Sequence, residues 1–144
     1  MAHILLVEDD AEVVGYARNL LESKGYSLEV AGDGEAALVA YMTRRPDLIL
    51  LDVFVPRIDG VRFARQLHER FPGDRVPIVV WTGAYEPESI GDLLDTPHVL
   101  HKPAASEELL EVVQRALGQE TKARALRVLV VSQKVGTLRA LVDE

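Results

Sequence analysis

The feature that most limits what this chain can fold into is a fivefold alternation of short apolar runs with segments of helical periodicity. His3–Val7 is an apolar run of the kind that forms a strand buried on both faces. Asp10 is a helix-capping residue. Val13, Val14, Ala17, Leu20 and Leu21 then recur at helical spacing to Lys24, and Gly25 ends the helix. Ser27–Ala31 reads as a second strand. Asp33-Gly34 opens a second helix with Ala36, Ala37, Ala40 and Tyr41 on one stripe, and Pro46 breaks it. Asp47–Asp52 is the most apolar strand and is expected at the centre of the sheet. A loop with Pro56 and Gly60 follows, with Asp59-Gly60 as a turn into the third helix, Val61–Phe71, which Pro72-Gly73 closes. Pro77–Thr82 is the fourth strand, Pro87–Leu94 a short fourth helix and His98–His101 the fifth strand. Ser106 is expected to cap a last helix, with Glu108 or Glu107 in its first turn, Leu109, Leu110, Val113 and Leu117 on its apolar face, and Gly118 as its stop.

Five consecutive β-α units imply a parallel sheet with helices on both faces, and right-handed crossovers make it an α/β doubly wound sheet. In such a sheet the ligand site lies outside the carboxyl ends of the strands. Those ends carry polar groups. Glu8-Asp9 and then Asp10 follow the first strand, Asp52 ends the third, Thr82 ends the fourth, and Lys102-Pro103 follows the fifth. Glu8, Asp9 and Asp52, three carboxylates held together at the rim of an apolar sheet, raise one another's pKa unless they are neutralised. Lys102 alone does not balance them. A hard divalent cation would, and Mg²⁺ suits a site with few carboxylates, several waters and oxygens borrowed from a phosphate. No His pair stands nearby at ligand spacing, which argues against zinc. A carboxylate flanked by Mg²⁺ and Lys102 is equipped to attack phosphorus. The three equatorial oxygens of the transferring group would meet Mg²⁺, Lys102, and the Thr82 hydroxyl or a loop N–H.

Charge and composition narrow the classes further. Of 144 residues, 1–118 hold 11 Lys and Arg against 20 Asp and Glu, whereas 119–144 hold 5 against 3. The acidic body would repel a phosphate backbone, so no direct nucleic-acid contact is expected. Nothing supplies a helix-turn-helix with a basic recognition face. There are no cysteines, which excludes disulfides and thiolate chemistry and fits a cytoplasmic location. The opening residues carry no basic n-region, so no signal peptide is expected, and apolar runs of about five residues fall far short of a membrane span.

Four blocks, I-L-L-V-E-D-D (4–10), D-L-I-L-L-D-V-F-V-P-R-I-D-G (47–60), V-V-W-T-G (79–83) and H-K-P (101–103), resemble in order and spacing the signature blocks of the response-regulator receiver family. The resemblance covers about residues 2–118. It implies a flavodoxin-like strand order of 2-1-3-4-5. It further implies Asp52 as phospho-acceptor, Glu8 and Asp9 as an acidic pair, and the Phe54 backbone carbonyl as completing a Mg²⁺ site. Thr82 would be the hydroxyl that follows the phosphoryl group, Lys102 its counter-ion, and Pro103 the residue after an often-cis peptide bond. The implied donors are the phosphohistidine of a histidine kinase or phosphotransfer protein, or a small acyl phosphate. The implied output is a downstream protein bound by the face of helix 87–94, strand 98–101 and helix 106–117. Such a chain is a signalling module rather than an enzyme with a separate substrate.

Three departures from the family pattern stand out. Val99 occupies the position, three before the lysine, where the family often carries an aromatic; Tyr85 is a candidate substitute. Phe54, two residues after the acceptor, is bulky and apolar where the family tends to carry polar side chains that help water attack, so slow autodephosphorylation is expected. Finally, after a linker at 119–125, residues 126–143 resemble the opening β-α unit without its acids. Two readings stay open there: the start of a degenerate second receiver-like domain, or a terminal strand and helix that pack locally. In either case the apolar Leu126–Val131 needs covering, by the main sheet or by a second copy in a homodimer.

Capping explains Asp10 but not three acids in a row. His3, His68, His98 and His101 are expected at the surface or in packing, and Trp81 is expected to pack on its strand. A phosphatase or flavin protein on the same sheet lacks support, because neither a D-x-D pattern nor a Gly/Thr-rich phosphate loop follows the first strand. The runner-up to an independent regulator is a receiver module within a multidomain signalling enzyme, such as a hybrid kinase or a cyclic-nucleotide enzyme.

Overall fold

The computed structural model describes residues 2–55, 57, 59–83 and 86–118. Along them run β1 (His3–Val7), α1 (Ala11–Ser23), β2 (Ser27–Ala31), α2 (Gly34–Thr43), β3 (Leu48–Leu51), α3 (Gly60–Arg70), β4 (Ile78–Thr82), α4 (Pro87–Leu93) and β5 (Val99–His101). A further helix, α5, covers residues 106–118. The strands form one parallel sheet of order β2-β1-β3-β4-β5. The linker at 119–125, the strand and helix expected over 126–144, and Tyr85 lie outside the described residues.

Strand alternation divides the core into two layers. Ile4, Leu6, Leu48, Leu50, Val79, Trp81 and Leu100 face one side, where Ala17 and Leu21 of α1 and Leu109, Val113 and Ala116 of α5 cover them. Leu5, Val7, Ile49 and Leu51 face the other, against Ala37 and Tyr41 of α2 and Phe63 and Leu67 of α3. β1 and β3 are wholly buried, which is why their sequences are continuous apolar runs.

Acidic side chains set the helix starts. Asp10 accepts from the N–H groups of Glu12 and Val13, Asp33 from Ala36, and Asp59 from Arg62. Each satisfies donors that a first turn leaves orphaned. Asp59 therefore caps α3, beyond the turn role expected of it, and the helix begins at Gly60, one residue before the expected Val61. The last helix corrects another expectation. Ser106 lies within the first turn, and Ala105 holds the cap position, its carbonyl accepting from Leu109 N–H. Glu108 accepts the Ala105 N–H at 3.2 Å, the reach-back half of a capping box, and alanine offers no side-chain oxygen for the other half. Gly25, at φ 91°, turns the chain out of α1 in a conformation glycine adopts without Cβ strain.

The sheet register then fixes the functional edge. Val7 pairs with Leu51, and the ladder continues one step as Asp52 N–H donates to Val7 carbonyl at 3.0 Å. Glu8 and Asp52 thus leave neighbouring strands level with each other. Thr82 pairs with His101, and Lys102 N–H donates to the Thr82 carbonyl at 2.9 Å.

Candidate functional site

Glu8, Asp9, Asp52, Thr82 and Lys102 meet at this edge. Asp52 is 7% exposed, and each of its oxygens is committed. Oδ1 accepts from the Thr82 hydroxyl at 3.1 Å and from Phe54 N–H at 3.0 Å. Oδ2 accepts from Lys102 Nζ at 3.0 Å. Thr82 is fully buried, so its hydroxyl is fixed by packing.

Glu8 is 2% exposed. Its Oε2 accepts from the N–H groups of Asp9 and Asp10 at 3.1 and 3.3 Å, and its Oε1 accepts from Lys102 Nζ. Burial pushes the Glu8 carboxyl above its ordinary pKa, against the pull of Lys102. Burial also works against the Lys102 charge, but hydrogen bonds to Glu8 and Asp52 outweigh it and hold the ammonium above its usual pKa. Lys102 is therefore a fixed cation shared by two buried carboxylates.

Asp9 completes the acidic group from an exposed position. One ligand oxygen from each of Glu8, Asp9 and Asp52 lies within 4.8 Å of the others. This donor set fits a small hard cation. All its ligand atoms are oxygens, and one member faces solvent, where water can complete the shell.

Phe54 brings its backbone to Asp52, while its side chain is 65% exposed. The loop that carries it is tied down at two points. Gly60 N–H donates to the Val53 carbonyl at 3.0 Å, and the Arg57 guanidinium, on a residue with φ 65°, lies 3.5 Å from Asp33 and 3.9 Å from Glu35 of α2. The Lys102–Pro103 peptide bond is cis.

Two features escaped sequence reasoning. The Arg57 tie depends on how close the loop passes to α2. The other lies beneath the lysine. Trp81 packs on β4 as expected, yet Lys102 Nζ stands 5.5 Å from its ring centroid, and the tilted ring of Tyr16 of α1 lies 6.3 Å from it. The position of Trp81 immediately before Thr82 was the available signal, but only the β4–β5 register turns that position into a contact. Of the four histidines, His3 is buried, with its ring nitrogen 3.0 Å from the Ser27 hydroxyl. His98 is buried and His101 exposed, and neither they nor His3 belong to the acidic group.

The sequence profile of the response regulator receiver domain matches residues 4–114. Response regulator MprA of Mycobacterium leprae is 43% identical over 121 residues, which are 83% of this chain and 52% of that protein. The chain thus spans about half the length of the curated relatives it matches. Among solved structures, chemotaxis protein CheY4 of Vibrio cholerae superposes with a TM-score of 0.73 at 30% identity, covering 81% of this chain and 98% of that one. The receiver domain of sensor histidine kinase PA1611 from Pseudomonas aeruginosa gives a TM-score of 0.73 at 31% identity, with the same coverage, and holds a magnesium ion in its active-site cleft. With its flavodoxin-like strand order and a matching profile over most of its length, this chain belongs to the response-regulator receiver domain family.

Proposed function

We propose that the chain is a phosphorylation-dependent switch that accepts a phosphoryl group on Asp52. The observation that carries this reading is the convergence of Thr82, Phe54 N–H and Lys102 on the two oxygens of Asp52, beside Glu8 and Asp9. In the reaction a carboxylate oxygen of Asp52 forms the new O–P bond. The P–N bond to the donor's histidine breaks and its electron pair leaves with the imidazole, which departs neutral because its other ring nitrogen already carries a proton; with a small acyl phosphate the P–O bond breaks instead and a carboxylate departs. Lys102 neutralises charge on the transferred group, and the Thr82 hydroxyl, which donates to Asp52 Oδ1 before the reaction, turns its proton to one of the new oxygens. Mg²⁺ held by Glu8, Asp9, Asp52 and the Phe54 carbonyl would supply the remaining positive charge. The donor we infer is a histidine kinase or phosphotransfer protein. The output we infer is a protein partner recognised by the face of α4, β5 and α5, in the cytoplasm.

The test is chemical. Incubation with acetyl phosphate and Mg²⁺, followed by intact mass, is expected to add one phosphoryl group that hydroxylamine removes, as it removes acyl phosphates. A hydroxylamine-stable adduct, or none, overturns the reading.

The exposed Phe54 ring supports a long-lived phosphoryl state, because it brings no polar group to orient an attacking water. Phe54→Asn is expected to shorten the lifetime of the labelled protein severalfold, followed by the decay of the phosphorylated mass. An unchanged lifetime removes Phe54 as the cause of slow hydrolysis.

A second reading, a receiver module of a larger signalling protein comprising residues 1–118 and a following segment, draws support from relatives of which the matched stretch makes up only about half. The length of the complete gene product decides it.

A further inference from the structure

We propose that Trp81 is a positioning residue for Lys102, holding its ammonium at the mouth of the acidic site while leaving one N–H free for the incoming phosphoryl oxygen. The inference rests on the phospho-acceptor reading above and adds a residue to it.

An ammonium carries three donors. Lys102 gives one to Glu8 Oε1 and one to Asp52 Oδ2. A third hydrogen-bonding wall would bind the remaining donor, and the phosphoryl oxygen would then have to displace it. The indole face offers a different kind of seat. Its π density attracts the positive charge without taking a proton donor. The Nζ-to-centroid distance of 5.5 Å lies within the range where that attraction operates.

The ring is itself held firmly. Trp81 is 3% exposed in the layer covered by α1 and α5. Tyr16 lies against it at 6.3 Å with a 43° tilt, and the Tyr16 hydroxyl reaches the Ala104 carbonyl, two residues beyond Lys102, at 3.3 Å. The aromatic pair therefore touches the lysine and the backbone just after it. The choice of tryptophan also has a cost: the buried indole N–H has no hydrogen-bond partner among the described residues. An aliphatic side chain would fill the layer without that orphaned donor, but it would offer no π face to the ammonium.

The experiment compares phosphoryl uptake from acetyl phosphate and Mg²⁺ in the parent, Trp81→Phe and Trp81→Leu. Far-UV circular dichroism and thermal unfolding check that each is folded. Trp81→Leu is expected to label about three- to tenfold more slowly, in keeping with loss of a partly desolvated cation–π contact, and Trp81→Phe within about twofold of the parent. Equal losses in both variants would mean packing alone and overturn the proposal, as would a Trp81→Leu rate equal to the parent's.

A second measurement leaves the core untouched. Trp81 is the single tryptophan of the chain, so its emission reads the ring directly. Lys102→Met is expected to shift that emission. Beryllium fluoride with Mg²⁺, a phosphoryl mimic, is expected to shift it in the parent and leave it unchanged in Lys102→Met. Emission indifferent to Lys102 overturns the proposal even if Trp81→Leu fails to fold. A parent that takes no label at all overturns the acceptor reading instead, so the two failures are told apart.

Discussion

Asp52→Asn is expected to abolish phosphoryl uptake from acetyl phosphate, lowering the rate by about three orders of magnitude or more, as when the attacking atom itself is lost. The amide keeps the shape of the side chain and can still accept from Thr82 and Phe54 N–H at the oxygen, so the fold survives. What it loses is the proposed nucleophile and the charge that pairs with Lys102. The neighbours do not replace it. Both oxygens of Glu8 are engaged by backbone N–H groups and by Lys102, and Glu8 is almost completely buried. Thr82 is fully buried as well. Asp9 is the one exposed carboxylate of the group, and it lacks the convergent donors that surround Asp52. Intact mass after incubation with the acyl phosphate is the measurement. Labelling of Asp52→Asn at the parent rate would move the acceptor elsewhere and dismantle the assignment of every other group in the site.

The second large effect is on stability. A Cβ placed on Gly60 would stand 2.5 Å from Val53 Cα, 3.0 Å from the Asp52 carbonyl oxygen and 3.1 Å from Leu51 Cδ1. Two of the three are backbone atoms, which no rotamer change can move aside. Gly60→Ala is therefore expected to cost about 2–3 kcal/mol, the range of an overpacked core, read from the urea midpoint. The control lies in α1. Gly15 has open space around it, and Gly15→Ala is expected to stabilise by about 0.5–1 kcal/mol, because alanine loses less backbone freedom in a helix interior. If Gly60→Ala is as stable as the parent, the loop after β3 is more yielding than its contacts indicate. Because the clash falls on the backbone around Asp52, a folded remnant of Gly60→Ala should also label more slowly.

The fold was legible because its signals are local and repeated. β1 and β2 occupy the residue ranges read from the sequence: β1 is a buried apolar run bounded by polar residues, and the half-buried edge strand β2 is bounded by the turn at Gly25 and the cap at Asp33. The capping acids Asp10 and Asp33 declare their helices for an equally local reason, the proximity of a carboxylate to the next N–H groups. Ser106 misled because serine and glutamate both serve helix starts, and which residue holds the cap depends on where the chain leaves Pro103. The membership of the acidic group was legible from the rule that strand ends share an edge. Its internal bonding was not. That Lys102 bridges Glu8 and Asp52 and rests near Trp81 follows from the side-by-side register of β1 with β3 and of β4 with β5, which no single segment encodes. The exposure of Phe54 likewise depends on how the following loop is anchored through Gly60 and Arg57.

The level exit of β1 and β3 carries an evolutionary corollary. Adding or deleting one residue inside either strand would flip its terminal acid to the opposite face and scatter the cluster in a single step. Length changes in the connections at the far end of the barrel-less sheet, such as Thr43–Asp47 or Phe71–Pro77, leave that alignment alone. The two strands are thus frozen in length, while the connections at the opposite rim are free to drift.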